Sequence, residues 1–215
     1  MSVTLTSLNA TIPMTLGAGY EVNIHMDKTF VSELMKGTLT ELTDLQIPSD
    51  ITSIKNYLFM DNSNLTTVSL SNITYVGISA FASCGIIDLD LPNVMAAAFQ
   101  AFAYNEDLES VCLPNLTQIA NSMFRDSTSL KSADFPAATS IDRLAFYGCT
   151  LLDTLILRAE TVCEWTDGQN LAGTKIADGE GYIYVPSDLV DSYKSATGWS
   201  TYADQILSID ELEVG

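Results

Sequence analysis

The sequence predicts a solenoid: a β-rich (α/β) right-handed superhelix of about five 22-residue repeats with short parallel strands, closed by a cap at each end. Two observations predict it. Phe59, Phe81, Phe102, Phe124 and Phe146 recur at spacings of 22, 21, 22 and 22 residues, a period typical of stacked repeat units. Each Phe is followed at fixed offsets by an apolar triad: Leu65-Val68-Leu70, Ile86-Leu89-Leu91, Leu108-Val111-Leu113, Leu130-Ala133-Phe135 and Leu152-Leu155-Leu157. A chain that is 47% apolar and only 17% charged has the material for such a core.

Each part of the repeat has a physical reading. The second and third triad residues are two apart, so both point inward while the residue between them points out, as in a strand. Three strands are closed by Pro92, Pro114 and Pro136, which cannot donate to a ladder. A second apolar pair follows: Ile73-Val76, Val94-Ala97, Leu116-Ile119, Ala138-Ile141 and Ala159-Val162, with Ile51-Ile54 opening the series. Its spacing suits a short strand on the opposite wall. The Phe and the residue before it (Leu58, Ala80, Ala101, Met123 or Ala145) make a turn or short helix in which the Phe plugs the core.

One repeat cannot bury its own apolar side, so neighbours must bury it and the two ends need caps. Residues 1–46 read as an N-terminal cap or attachment segment, 47–165 as the repeats and 166–215 as a C-terminal strand-helix cap. In the first cap, Tyr20 to Ile24 alternates like a strand and Phe30 to Met35 fits a short amphipathic helix. Residues 166–180 read as a looser connection. Tyr182 to Val185 reads as a strand, Ser187 as the cap of a helix carrying Leu189, Val190 and Tyr193, and Ile206 to Ile209 as a last strand. Trp199 falls in cap core, and Trp165 packs over the end of the stack.

The unit running through Ile86–Phe102 and Phe135–Cys149, with its Leu-x-x-Val-x-Leu-Pro core and its Ala-Phe-x-x-Cys ending, resembles the BspA-like (Treponema pallidum-type) leucine-rich repeats. The stretch Tyr184-Val185-Pro186 through Trp199, Tyr202 and Ile206 resembles the segment that closes such arrays. The resemblance implies a leucine-rich-repeat solenoid and a bacterial surface or secreted protein used in adhesion or protein binding. It supplies no catalytic residues. The chain departs from the pattern where Asn62, Asn105 and Ser127 replace the Cys, and where Ser71 and Arg158 replace the Pro.

Composition excludes several function classes. Nine Lys and Arg against 27 Asp and Glu give a net charge of −18, so no large basic patch exists and nucleic acid is not an expected partner. No continuous apolar run is long enough for a membrane span, and the N-terminal residues lack the basic and apolar regions of a signal peptide. The lone histidine, His25, reads as a surface or cap residue and rules out a multi-histidine metal site. No nucleophile-elbow or phosphate-loop motif occurs. Asp88, Asp90 and Asp134 project together and are the one carboxylate group suited to hydrolysis or Ca²⁺, but solvated aspartates are the simpler reading. No cofactor and no metal are expected.

Cys84 and Cys149 occupy equivalent positions three repeats apart. Strands about 4.8 Å apart place them on the order of 14 Å from each other, too far for a disulfide. Cys112 replaces an outward ladder residue and reads as a semi-exposed thiol. Of four Asn-x-Ser/Thr sequons (Asn9, Asn64, Asn72, Asn115), three fall inside the repeat pattern.

The outward residues of the strand ladder form the candidate binding face: Thr67, Ser69, Asp88, Asp90, Ser110, Cys112, Ser132, Asp134, Thr154 and Ile156. It is small, polar and acidic, and suits a protein or glycan ligand. The expected function is a non-catalytic binding or adhesion module. The alternative is a structural or host-recognition component of a phage or cell-surface assembly, attached through residues 1–46.

Overall fold

The computed structural model describes residues 52–166 and 168–212 in full. Beyond these it describes only the backbone of residues 213–214 and of three short strands, Ser2–Thr4, Glu21–Asn23 and Asp44–Leu45. The first two pair with each other in parallel. His25, Asn9 and the helix read over Phe30 to Met35 lie outside the described residues.

The repeats stack into two parallel ladders on opposite walls. The front ladder runs through Asp44–Leu45, Thr67–Ser69 and Asp88–Asp90, and then through Ser110–Cys112, Ser132–Phe135, Thr154–Leu157, Tyr182–Val185 and Ile206–Ser208. The back ladder runs through Ser53–Ile54, Tyr75–Val76 and Ala96–Ala97, and then through Gln118–Ile119, Ser140–Ile141 and Glu164–Trp165. Both ladders are interrupted at the same level, between the repeats of Phe81 and Phe102. The front ladder thus starts inside the segment read as the first cap and continues through the segment read as the second.

The Phe residues form a column along a third edge. Ring centroids of successive members from Phe59 to Phe146 lie 5.2, 5.8, 5.6 and 5.6 Å apart, with planes within 12° of parallel. The rings are offset rather than sandwiched, as aromatic quadrupoles prefer, and all five are fully buried. Phe135 leans on this column at 5.9 Å from both Phe124 and Phe146.

Backbone bonds hold the column. The amides of Tyr57, Phe59 and Asp61 donate to the carbonyls of Ile78, Ala80 and Ala82 in the next repeat, at 2.8, 2.9 and 2.9 Å. The same three bonds recur from Ser79, Phe81 and Ser83, from Gln100, Phe102 and Tyr104, and from Ser122, Phe124 and Asp126. Directing every second amide the same way requires left-handed residues two before and two after each Phe. Tyr57, Asp61, Ser79, Ser83, Gln100, Tyr104, Ser122, Asp126 and Leu144 all have φ between 48° and 65°, and Gly148 completes the series at 76°. Each non-glycine residue there costs about 1–2 kcal/mol relative to right-handed backbone, a cost accepted for three hydrogen bonds per repeat. The Ala-Phe segment is accordingly a turn and not a helix.

The position three after each Phe explains the variable Cys. The Cys84 thiol donates to the Phe59 carbonyl at 3.1 Å, Cys149 to Phe124 at 3.0 Å, the Asn105 amide to Phe81 at 2.9 Å and the Ser127 hydroxyl to Phe102 at 3.5 Å. What the fold requires is a buried donor aimed at the preceding Phe carbonyl, and thiol, amide and hydroxyl each supply one. Cys84, Cys112, Cys149 and Cys163 are all free, as the three-repeat separation of Cys84 and Cys149 requires.

Residues beyond Val162 depart from the sequence reading in three ways. First, Ile141 pairs with Trp165, so the last back strand is Glu164–Trp165 and not a strand ending at Val162. The chain bulges by two residues after Leu157, and a period carried rigidly from Phe135 misses it. Second, the supposed loose connection is a sixth turn of the column. Phe146 and Gly148 donate to Asn170 and Ala172, Leu171 is buried in the Phe position, and Gly173 takes the left-handed place at 77°. Third, Ser187 caps no helix. Its hydroxyl bonds Ser208 and Asp210 instead.

The single α-helix among the described residues, Val190–Ser195, closes the stack. Tyr193 and Trp199 are fully buried and grip one peptide: the Cys163 amide donates to the Tyr193 oxygen at 2.8 Å, and the Trp199 indole donates to the Cys163 carbonyl at 2.6 Å. Trp165 stands edge-on to Trp199 at 4.8 Å, so it packs at the end of the stack while serving as a ladder residue.

Phe102 stacks on both neighbours, and truncating it opens a cavity that touches two interfaces. Phe102→Ala is expected to cost about 3–5 kcal/mol, read as a lowered denaturation midpoint. Ser127→Ala removes only a long donor contact and is expected to cost roughly 1 kcal/mol in the same measurement.

Candidate binding face

The front ladder brings the predicted outward residues into rows. Thr67 lies opposite Asp88 and Ser69 opposite Asp90. Above the interruption, Ser110, Ser132 and Thr154 form one row, and Cys112, Asp134 and Ile156 the other. Alternation puts one side of each strand inward, which is why Val68, Val111, Ala133 and Leu155 are buried beside exposed or half-buried partners.

Ile156 is the exception. It is only 7% exposed, because its neighbours in the row, Asp134 and Tyr184, flank it. It acts as packing within the face and not as a free contact. Asp134 is also engaged: the Arg158 guanidinium donates to both its carboxylate oxygens at 2.9 to 3.2 Å. Asp88 and Asp90 are exposed, and no ion pair involves them among the described residues. The Ser69 hydroxyl donates to Asp90 at 3.2 Å.

Sequence reading missed the upper end of the face. The two rows continue onto Tyr182 and Tyr184, and Leu207 follows Tyr184. Tyr182 is 45% exposed, and its ring centroid lies 6.3 Å from that of Tyr184. The signal was present in the alternation Tyr-Ile-Tyr-Val, but the strand was assigned to a cap. Placed in the ladder, it turns Ile183 and Val185 inward and both tyrosines outward. The face therefore changes character along its length, from small acidic residues to two tyrosines beside an arginine.

Among the described residues no group of three or more His, Cys, Asp or Glu is placed to hold a metal ion, and no helix is long and apolar enough to cross a membrane. The thiols are not poised for chemistry. Burial pushes Cys84, Cys149 and Cys163 up to about 12. Partial burial, with Asp134 close by, also raises Cys112.

The family model of the BspA type leucine rich repeat region matches residues 32–153 in 6 copies. This chain belongs to that family. Its first copy begins within the segment read as the N-terminal cap. Among solved structures, it is similar to a leucine rich cell surface protein from Faecalibacterium prausnitzii, with 24% identity and a TM-score of 0.52 over 68% of this chain and 46% of that one. It is also similar to a leucine-rich repeat protein from Bacteroides ovatus, with 21% identity and a TM-score of 0.54 over 78% and 43%. The chain spans less than half the length of either, and the likeness is one of fold. No curated protein matches it.

Thiol labelling follows from the burial pattern. An alkylating reagent is expected to modify Cys112 alone in the folded protein, and the other three cysteines only in denaturant. Because the Cys112 pKa is raised, the rate should still be climbing above pH 9. A rate that levels off below that pH would contradict the assigned environment.

Proposed function

We propose that this chain is a non-catalytic binding module of a bacterial surface or secreted protein, and that it holds a protein or glycan ligand on the outer face of the front ladder. The observation that carries the reading is the aromatic end of that face. Tyr182 and Tyr184 stand beside the Arg158–Asp134 pair, and tyrosine and arginine are the residue types that most often anchor interfaces. Family membership supports protein binding by the repeats. The description of the Faecalibacterium relative as a cell surface protein supports the location.

The binding face divides the work. Asp88 and Asp90 add long-range attraction for a cationic partner, while the tyrosines supply contact area with few rotatable bonds.

The test is saturation binding of labelled protein to a panel of bacterial and epithelial cells. Tyr182→Ala with Tyr184→Ala is expected to weaken saturable binding at least about tenfold. Asp88→Lys with Asp90→Lys is expected to weaken it less, and mainly at low salt. Undiminished binding by the tyrosine variant would remove this end of the face from the reading. No saturable binding to any cell would overturn the adhesion function itself.

A further inference from the structure

The turn after Phe81 is one residue shorter than its neighbours. Two residues separate the buried donor position from the next core residue at Ser63-Asn64, Glu106-Asp107, Thr128-Ser129 and Thr150-Leu151. Here only Gly85 does. The turn is drawn in so tightly that a Cβ on Gly85 would lie 2.1 Å from the Ser63 carbonyl oxygen. The one comparable short turn, after Leu171, has Lys175 at this place.

The shortening leaves a notch of about 400 Å³ lined by Ser63, Ser83, Cys84, Gly85, Tyr104, Glu106 and Asp107. It sits on the turns that lead from the Phe column to the front ladder, off the face discussed above. Both ladders are interrupted between this repeat and the next. Across that interruption the column bonds persist, from Ser79, Phe81 and Ser83 to Phe99, Ala101 and Ala103. The Asn105 and Asn115 amides add bonds to the Phe81 and Pro92 carbonyls. One irregularity in an otherwise regular array thus coincides with its cavity, the usual sign that a local rule has been set aside for a use.

The lining chemistry selects the occupant. Glu106 and Asp107 are exposed and form no ion pair among the described residues. Ser63, Ser83 and Tyr104 offer oxygen acceptors, Tyr104 also offers an aromatic wall, and Asp61 is close enough to act on the Cys84 thiol. No lining residue is cationic. Carboxylates and an aromatic ring around an open cavity match a guanidinium or ammonium group, and the net charge of −18 draws such groups in.

We propose that this notch receives an arginine or lysine side chain from a partner protein, as a second contact separate from the ladder face. The side chain enters over Gly85, with its charge between Glu106 and Asp107 and its stem along Tyr104.

The test uses the full chain, labelled for amide NMR, and three peptides: acetyl-Gly-Arg-Gly-amide, its lysine counterpart, and the uncharged citrulline isostere. The two cationic peptides are expected to shift the amides of Ser83 to Ile86 and Glu106 to Leu108 saturably. The Glu106→Gln, Asp107→Asn double variant should weaken this at least about tenfold. Both side chains are exposed, so its spectrum elsewhere should superimpose on that of the parent. Ser63→Trp, which fills the notch from its rim, should also abolish the shifts. Equal shifts from the citrulline peptide, undiminished shifts in the double variant, or shifts centred on Asp88 and Asp90 would each overturn the proposal. So would neutral methyl glycosides perturbing these amides where the arginine peptide does not, which would make the notch a saccharide subsite.

Discussion

The column of phenylalanines sets the terms for everything else. Parallel strands approach to about 4.8 Å, and the rings accommodate that rise by offsetting to centroid separations of 5.2 to 5.8 Å. A ring in this position must be followed by another at the same height one turn later, so the period is held near 22 residues. The ladder of amides along the same edge locks the height. Left-handed residues on both sides of each ring are the consequence, since only that backbone turns alternate amides toward the next repeat. The edge holds where the front and back ladders do not: at the short repeat both strand ladders stop while the column bonds continue.

A core organised by column and slot leaves a large part of the chain free. The position three after the Phe demands a buried donor but not a particular one, so Cys, Asn and Ser interchange there. Outward ladder positions demand only strand compatibility, which Thr, Ser, Asp and Tyr all meet in this chain. Stability therefore rests on residues that say nothing about the ligand, and recognition on residues the fold hardly constrains. This separation is why family membership brings a fold and a mode of use without bringing a ligand.

The same separation decided what was legible in the sequence. The Phe spacing, the triads and the strand-ending prolines could be read because one geometry repeats them five times. The free state of Cys84 and Cys149 followed from the same register. The last turn could not be read this way: Leu171 stands where a Phe is expected, 25 residues after Phe146, and a two-residue bulge moves Trp165 into the back ladder in place of Val162. A fixed period fails at an insertion because it carries no information about where the extra residues are accommodated. Tyr182 and Tyr184 were missed as face residues for a related reason. Their alternation was visible, but their place depends on pairing with Thr154–Leu157, and pairing partners are a tertiary fact. Ile156 was misjudged for want of its neighbours, which cover it.

Charge and contact area are distributed unequally along the molecule, and this bears on how it would engage a partner. The exposed carboxylates Asp88, Asp90, Glu106 and Asp107 gather around the interrupted interface, whereas Asp134, nearer the aromatic end, is neutralised by Arg158. Unpaired surface charge accelerates encounter and is screened by salt within about 8–10 Å at ordinary ionic strength. Buried aromatic area instead governs how slowly a complex comes apart. A ligand drawn in by the acidic middle and retained by the tyrosine end would show an association rate that falls steeply with salt and a dissociation rate that hardly changes. That asymmetry follows from where the charges and rings sit, whatever the ligand is, and it separates a partner that uses both regions from one that uses either alone.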